Sequence, residues 1–394
     1  MSGALSGIRV LDLSRFIAGP LCCQILGDMG AEVIKVERPG GEDARRFTPL
    51  YQGHSIYTMI YNRNKHGITL DTRKPEAITV LEKLAAECDV VVENYRPGTM
   101  AAMGLPYERL REINPRIVLT SISGFGQTGP NTGRALFDAI AQAASGLMSV
   151  TGEPDGAPMM AGTFVADYIS AFHGVMGTLL ALQGRERTGR GQHVDISCVD
   201  ALFACMGTHP SAYAMLGKVP ERTGSCDQIT VPANVYPASD GHVYLHAGTD
   251  PMFPRLATAM GQPELTTDER FSDSTRRLRH VREIDEIVRT WTSKHTRAEL
   301  AERLTAAGIP FSEVATVPEV VDSPQVAARN MMLDVTHPEF GTVRLPGIPI
   351  KLSDTPGEVR KPPPAAGEDN DEVYRRVLGL STEDIEKMRA GGVI

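Results

Sequence analysis

A chain of 394 residues with 42% hydrophobic content, 38 glycines and 27 prolines is long enough for two domains and suits a compact, loop-rich α/β enzyme rather than a disordered chain. Its net charge of −8 argues against a nucleic-acid partner, since a phosphate backbone requires clustered basic surface. No apolar run reads as a membrane span, residues Met1 to Ala4 show no signal-peptide core, and the six cysteines (Cys22, Cys23, Cys88, Cys198, Cys205, Cys226) follow neither CxxC nor zinc spacing. The expected setting is soluble, cytoplasmic and reducing, with no membrane partner and with thiols serving as small buried hydrophobes.

In chain order, Ile8 to Leu13 forms a first strand ending at Ser14. A helix follows from about Pro20, where proline suits a first turn, and closes near Gly27 to Gly30. Glu32 to Glu37 is the second strand. The pattern repeats with strands at Ile68 to Leu70, Val90 to Val92 and Ile117 to Ile122, and a helix from Pro75 to Glu87. Strands alternating with helices predict a parallel sheet covered on both faces. Between Phe164 and Leu182 apolar residues recur at three and four spacing (Phe172, Val175, Met176, Leu179), which predicts a helix burying one face. A basic, glycine-punctuated turn then leads into strand-like His193 to Ser197. Beyond Leu216, Val235-Tyr236 and His242 to His246 flank Asp240-Gly241 as a hairpin, and charged amphipathic helices follow between about Asp273 and Ala307. This texture predicts a smaller α+β domain. Residues 331–352 return to strand character, Lys361 to Pro364 reads as a linker, and Asp369 to Arg389 as two short helices.

Asp167 stands in the first turn of the long helix, where the positive helix end favours an ionised carboxylate. By itself, such a residue most often only helps to start the helix. Gly124 to Gly129 matches GxGxxG after a strand, but Pro130 follows at once and no helix opens at the third glycine. It reads as a glycine-rich loop over an active site, not as an NAD site. His54, His66, His173, His193 and His337 have no neighbours at metal-ligand spacing, so no metal is expected. Asp195 reads as structural.

The ADY segment, its small-residue helix and RERTGRGQHVDIS resemble the central signature of the family III CoA-transferases, a group that includes the 2-methylacyl-CoA racemases. GIRVLDLSRFIAGPLCCQILGDMGAEVIKVERPGGED, NRNKHGITLD, DVVVENYRPG, SGFGQTGP and HPEFGTVRLPGIPIKLSDTPG carry the resemblance, in family order, over nearly the whole chain. It implies an α/β fold with a large Rossmann-like, CoA-binding domain built from both termini (1–219 and 330–394) and a small α+β domain (220–329). It also implies two chains interlocked like rings, as a homodimer or as a heterodimer with a paralogue.

For the site, the resemblance implies Asp167 as a nucleophile that carries CoA as an aspartyl thioester, with no cofactor beyond the CoA thioester itself. Arg38, Leu70, Arg73, Asn94 and Tyr95 match CoA-binding positions. Ala102 stands where some relatives carry a phosphate-binding cation, a loss that Arg96 or Lys65 offsets in this reading. Ile17 and Phe137 match substrate positions occupied by glutamine and tyrosine in formyl-CoA transferases, so an oxalate or formyl substrate is disfavoured. Arg15 beside Ile17 suits the distal carboxylate of a dicarboxylic acid, with a strand-end salt bridge as its alternative. Succinyl-CoA or a similar dicarboxyl-CoA is the implied donor.

Two other readings stay open. Racemases of the group place a histidine just before the residue matching Asp138, where this chain has Phe137, and exchange of an α-proton on two faces needs two acid/base groups. That disfavours an acyl-CoA racemase or epimerase. The other is a catalytically silent CoA-binding subunit of a heterodimer, against which the presence of Asp167 counts.

Overall fold

The central strands of the main sheet carry apolar residues on both faces (Val10 and Leu11, Val33 and Ile34, Val90 and Val91), because both faces are covered. The computed structural model describes residues 3–339 and 341–394; Met1 and Ser2, read above for a leader core, and Phe340, within HPEFG and the strand-like 331–352 stretch, lie outside the described residues. Six strands run parallel: β1 (Arg9–Asp12), β2 (Glu32–Glu37), β3 (Lys65–Thr69), β4 (Val90–Glu93), β5 (Val118–Ser123) and β6 (His193–Ser197). Their spatial order is β3-β2-β1-β4-β5-β6. The order reverses between β1 and β4, and doubly wound sheets open a ligand crevice at such a point, beyond the carboxyl ends of the strands.

The two-residue pleat sends neighbouring side chains to opposite sides. Val10, Val33, Val90 and Val92 join one core with α1 (Ala18–Asp28) and the long helix described below, while Leu11, Ile34 and Val91 join another. α2 (Ile56–Tyr61) adds aromatic residues to the first core, and α3 (Pro75–Ala86) packs Ala77, Leu81 and Leu84 into the second. Later in the chain, beyond two short helices at Thr99–Ala102 and Tyr107–Ile113, lie three helices that bear on the site: α4 (Asp138–Ala144), α5 (Val165–Thr188) and α6 (Cys198–Ala204).

α5 runs further than its apolar spacing predicts and ends at Gly189, whose φ of +70° is readily taken only by glycine. It lies close on the sheet because Gly174 and Gly177 face it. A Cβ there would come within 2.8 Å of Ile122 Cδ1 and 2.5 Å of Val194 Cγ1. By length and composition this helix is long and apolar enough to cross a membrane, contrary to the expectation that no such run exists. Its charged residues sit at its two ends, and its buried residues belong to the first core.

The chain divides into two compact units: residues 1–147, 160–210 and 324–394 form one, and residues 148–159 and 211–323 the other. In the second, strands β7 (Ala233–Ala238), β8 (Gly241–His246) and β9 (Phe311–Glu313) form an antiparallel sheet, with the hairpin turning at Ser239-Asp240. Helices α7 (Val281–Thr292) and α8 (Arg297–Ala306) pack Val288, Trp291, Leu300 and Leu304 against it. In the first, the antiparallel pair β10 (Met332–His337) and β11 (Gly341–Pro346) precedes α9 (Asn370–Leu378) and α10 (Thr382–Ala390), whose Val373, Tyr374 and Ile385 complete the core beside α3. The segment read as a linker is instead packed: Pro363 and Pro364 are buried, and the Lys361 ammonium rests on Asp369.

β3 starts at Lys65, three residues before the expected strand, because polar residues here face inward. The Lys65 ammonium donates to Asp12 Oδ2 at 2.8 Å, the Pro20 carbonyl at 2.9 Å and Asn62 Oδ1 at 3.1 Å. Lys35, equally buried, donates to the Ser14 carbonyl and lies 3.8 Å from both Asp12 and Glu42. Burial alone would raise the Asp12 carboxyl, but the two lysines hold it at about 2. Breaking one partner of such a buried pair strands the other charge. Lys65→Ala is therefore expected to lower unfolding stability by roughly 3–5 kcal/mol, read as a fall in the urea midpoint. Lys387→Ala, which removes an exposed pair with Glu383, should change it by less than about 0.5 kcal/mol.

Candidate active site

The crevice forms where β1 and β4 diverge, and a polar framework holds its first loop rigid. Asp12 Oδ1 accepts from both the backbone N–H and the hydroxyl of Ser14. Across the gap, Asn94 Oδ1 accepts from Arg15 N at 2.7 Å while Asn94 Nδ2 donates to the Arg15 carbonyl at 2.7 Å. Asn94 thereby joins the β1 and β4 loops as a missing strand would, and its amide is used at both ends. Phe16 follows with φ of +65°, a strained conformation for an aromatic residue that persists because its neighbours are fixed on both sides.

A cavity of about 450 Å³ opens over this loop, lined by Arg15, Ile17, Phe137, Asp138, Asp167 and Cys198, among others. Ile17 is 2% exposed, so it forms the apolar floor, whereas Phe137, at 67%, stands at the mouth. Aromatic rings continue the wall: Phe16 packs edge-on to Phe137 and stacks with Phe47, and Phe47 meets Tyr57, which meets Tyr61. The Tyr61 hydroxyl lies 3.0 Å from that of Tyr168.

Asp167 projects into this surround from the first turn of α5. Its carboxyl is raised from 3.8 to about 7, first by burial and then by the charge of Asp138. The helix end that sequence reasoning expects to favour the anion is outweighed by desolvation. Burial also pushes up Tyr57, Tyr61 and the Cys198 thiol, the last to about 12.

A second crevice of about 480 Å³ adjoins the first and shares Arg15 and Tyr95 with it. Arg38, Arg46, Leu70 and Arg73 also line it, so four of the five positions matched to CoA binding converge with Tyr95 included, Arg46 joins them unforeseen, and Asn94 lies instead on the first cavity with its amide spent on the Arg15 backbone. Leu70 is 1% exposed and belongs mainly to the core. Arg15 and Arg38 both pair with Asp43, Arg15 at 2.7 Å, so the salt-bridge alternative for Arg15 is realised with a partner that lies distant in sequence. Arg73 pairs with Asp71 through two 2.8 Å bonds on the open surface. Lys65 cannot offset Ala102, because its ammonium is buried against Asp12; Arg96 lines the first cavity and not the second crevice.

The glycine-rich loop is tethered: Gln127 N donates to Asp195 Oδ2 at 3.0 Å, which gives Asp195 its structural role. Gly124 lies at the cavity and against Leu136, whose Cβ would be 2.5 Å from an added Cβ. Tertiary structure also groups His66, Asp369 and Glu372, with ligand atoms within 4.8 Å, where spacing shows no such cluster. The Lys361 ammonium already lies on Asp369 and 3.3 Å from His66, which makes the group a charge-paired cluster. In the sequence Asp138 is only a landmark beside Phe137. Its neighbour across 29 residues, Asp167, becomes visible only in the fold.

Residues 5–370 match the family model for CoA-transferase family III. The chain is 38% identical, over 99% of its length and 98% of the relative's, to the succinyl-CoA–D-citramalate CoA-transferase of Chloroflexus aurantiacus. It is 40% identical, with the same coverages, to the succinyl-CoA–L-malate CoA-transferase beta subunit of that organism. Among solved structures, a CAIB/BAIF family protein from Brucella suis superposes with a TM-score of 0.87 at 34% identity, covering 96% of this chain and all of the other.

The raised Asp167 carboxyl has a stability consequence. The folded state holds this proton more tightly than the unfolded chain, so folding loses stability as pH rises from about 4 to about 7. Asp167→Asn removes that cost. Its thermal midpoint should exceed the native protein's by a few degrees at pH 8, with the gap shrinking toward pH 4.5. A gap of the same size at both pH values would show that ionisation is not its source.

Proposed function

The chain belongs to CoA-transferase family III, and from that membership we propose that it moves CoA from succinyl-CoA or another dicarboxyl-CoA to a free carboxylic acid through a thioester on Asp167. The observation that carries this reading is the desolvated Asp167 carboxyl, poised near neutrality in a cavity that adjoins an arginine-lined crevice. At neutral pH a substantial fraction is the anion, and a carboxylate of raised basicity is the better nucleophile.

The reaction balances without another reagent. The Asp167 carboxylate attacks the donor thioester carbonyl, forming a mixed anhydride and expelling CoA thiolate. The thiolate attacks the aspartyl carbonyl, giving the aspartyl-CoA thioester and releasing the donor acid. The acceptor carboxylate attacks that thioester, again forming an anhydride and thiolate, and thiolate attack on the acceptor's carbonyl yields the new acyl-CoA and free Asp167. Arg38, Arg46 and Arg73 suit the phosphates of CoA, since guanidinium pairs with phosphate, and the Tyr95 ring suits adenine, with Leu70 packed in the core behind the crevice. Succinyl-CoA stands in the names of both relatives above, which supports a dicarboxyl donor. Arg15, shared by the two cavities, suits the distal carboxylate, for which Asp43 is the internal stand-in.

The interlocked dimer belongs to the same proposal. α5 leaves Phe172, Met176, Leu179 and Leu180 exposed, Leu180 at 72%, and a contiguous apolar stripe of this kind marks an association surface. A relative named as a beta subunit supports a second reading of the partner, a related chain in place of an identical one.

Incubation with a panel of acyl-CoA donors and hydroxylamine tests the chemistry. Mass spectrometry should find a hydroxamate on the peptide carrying Asp167, and Asp167→Asn should lower turnover by at least about 10³-fold. An unmodified peptide with every donor would overturn the covalent route. Arg15→Ala should raise the KM for a dicarboxylate acceptor about tenfold, the scale of one charge-assisted bond, and leave a monocarboxylate's KM in place. An unchanged dicarboxylate KM would remove Arg15 from the substrate site.

A further inference from the structure

α5 begins without a cap of its own. Phe164 at its N-terminus offers no side-chain acceptor, yet the first N–H groups of a helix need partners when buried. They find them on α4. Asp138 Oδ1 accepts from Ala166 N at 2.7 Å and from Asp167 N at 3.1 Å. Its other oxygen accepts from Gln142 Nε2 at 2.6 Å, and Gln142 Oε1 accepts from Ala161 N at 2.9 Å. Asp138 and Gln142, one turn apart and both buried, therefore strap down the segment that leads to the nucleophile at both of its ends.

We propose that Asp138 is the positioning residue for Asp167: it fixes the Asp167 backbone from a neighbouring helix, and its carboxylate sets a like charge against the free Asp167 anion. The inference deepens the transferase reading, and its account of catalysis rests on that reading. An acyl derivative of Asp167 is uncharged, so acylation removes a repulsion that the free anion suffers. The strap thus favours the covalent states over the resting anion while holding the carboxyl in one place.

The other groups around Asp167 do not supply this effect. Tyr57 and Tyr61 from α2, Tyr168 from α5 and Cys198 from α6 are phenols and a thiol, and the three of these whose ionisation burial disfavours are Tyr57, Tyr61 and Cys198. The cations lining the cavity are Arg15, Arg96 and Arg134; Arg15 is paired with Asp43, and Arg134 lies over the Phe125 ring.

Carbon-13 NMR of protein labelled at the aspartate carboxyls, with the Asp167 signal assigned by its loss in Asp167→Asn, tests the charge without any turnover. Asp138→Asn keeps a cap acceptor and removes the charge, so the Asp167 midpoint should fall by at least one pH unit. An unchanged midpoint would overturn the electrostatic role. Hydroxamate trapping tests the positioning: Asp138→Asn should retain labelling of the Asp167 peptide, while Asp138→Ala should lose it at least tenfold. Equal labelling of both variants, with native-like unfolding midpoints, would overturn it. If Asp138→Ala does not fold, Gln142→Ala takes its place, with the same loss expected. Absence of label in the native protein would count against the transferase reading alone, since the NMR titration stands without it.

Discussion

The ion pair between Asp12 and Lys65 is the constraint on which the crevice depends. Asp12 sits at the carboxyl end of β1, next to the point where the strand order reverses, and its two oxygens do different work. One accepts from Ser14 and so turns the chain out of the strand; the other receives Lys65, whose ammonium also reaches the Pro20 carbonyl in α1. Lys35 reaches Ser14 from β2. Three strands and a helix are thereby locked to one loop, and that loop carries Arg15, Phe16 and Ile17 into the cavity. A buried ion pair gives little net stability compared with packed hydrophobes, so its use here is geometric.

A second tension lies above the first. Asp138 and Asp167 bring two carboxyl groups to one desolvated site, an arrangement that folding alone would not select. The cost appears in the raised Asp167 carboxyl, and it is borne because Asp138 satisfies helix donors that nothing on α5 itself can reach. Strained or destabilised groups of this kind cluster where chemistry happens. A continuous series of ring contacts from Phe137 through Phe16, Phe47 and Tyr57 to Tyr61 runs beside the site.

The arginines are arranged on a different principle. Arg15, Arg38 and Arg73 are partly or largely exposed and are held by nearby carboxylates, Asp43 and Asp71, in pairs that cost little to exchange. Such a crevice can give up its internal anions for a ligand's phosphates. Asp138 and Gln142 beside the first cavity are arranged differently: both are buried and both are held in hydrogen bonds to the segment that starts α5.

Much of the fold was legible in the sequence, because period-two apolar runs and helical spacing report directly on burial. Sequence pattern marks the ends of β2 and β6 to the residue, and those of α3 nearly so. It does not mark the start of β3, since Lys65 and His66 look like loop residues until Asp12 and Asp369 are seen facing them. The length of α5 was short by six residues for the same reason: Arg185 looks like a terminus but is buried against Asp89. Asp167 and the cationic positions came from motif order, which specifies residue identity along the chain. What the tertiary structure decided is everything that depends on residues distant in sequence: that Lys65 is a core ion and no phosphate ligand, that Arg15 answers to Asp43, and that Asp138 caps Asp167. Periodicity encodes which way a side chain points; only folding, which brings charges within a few ångströms in a dry interior, determines what it meets there.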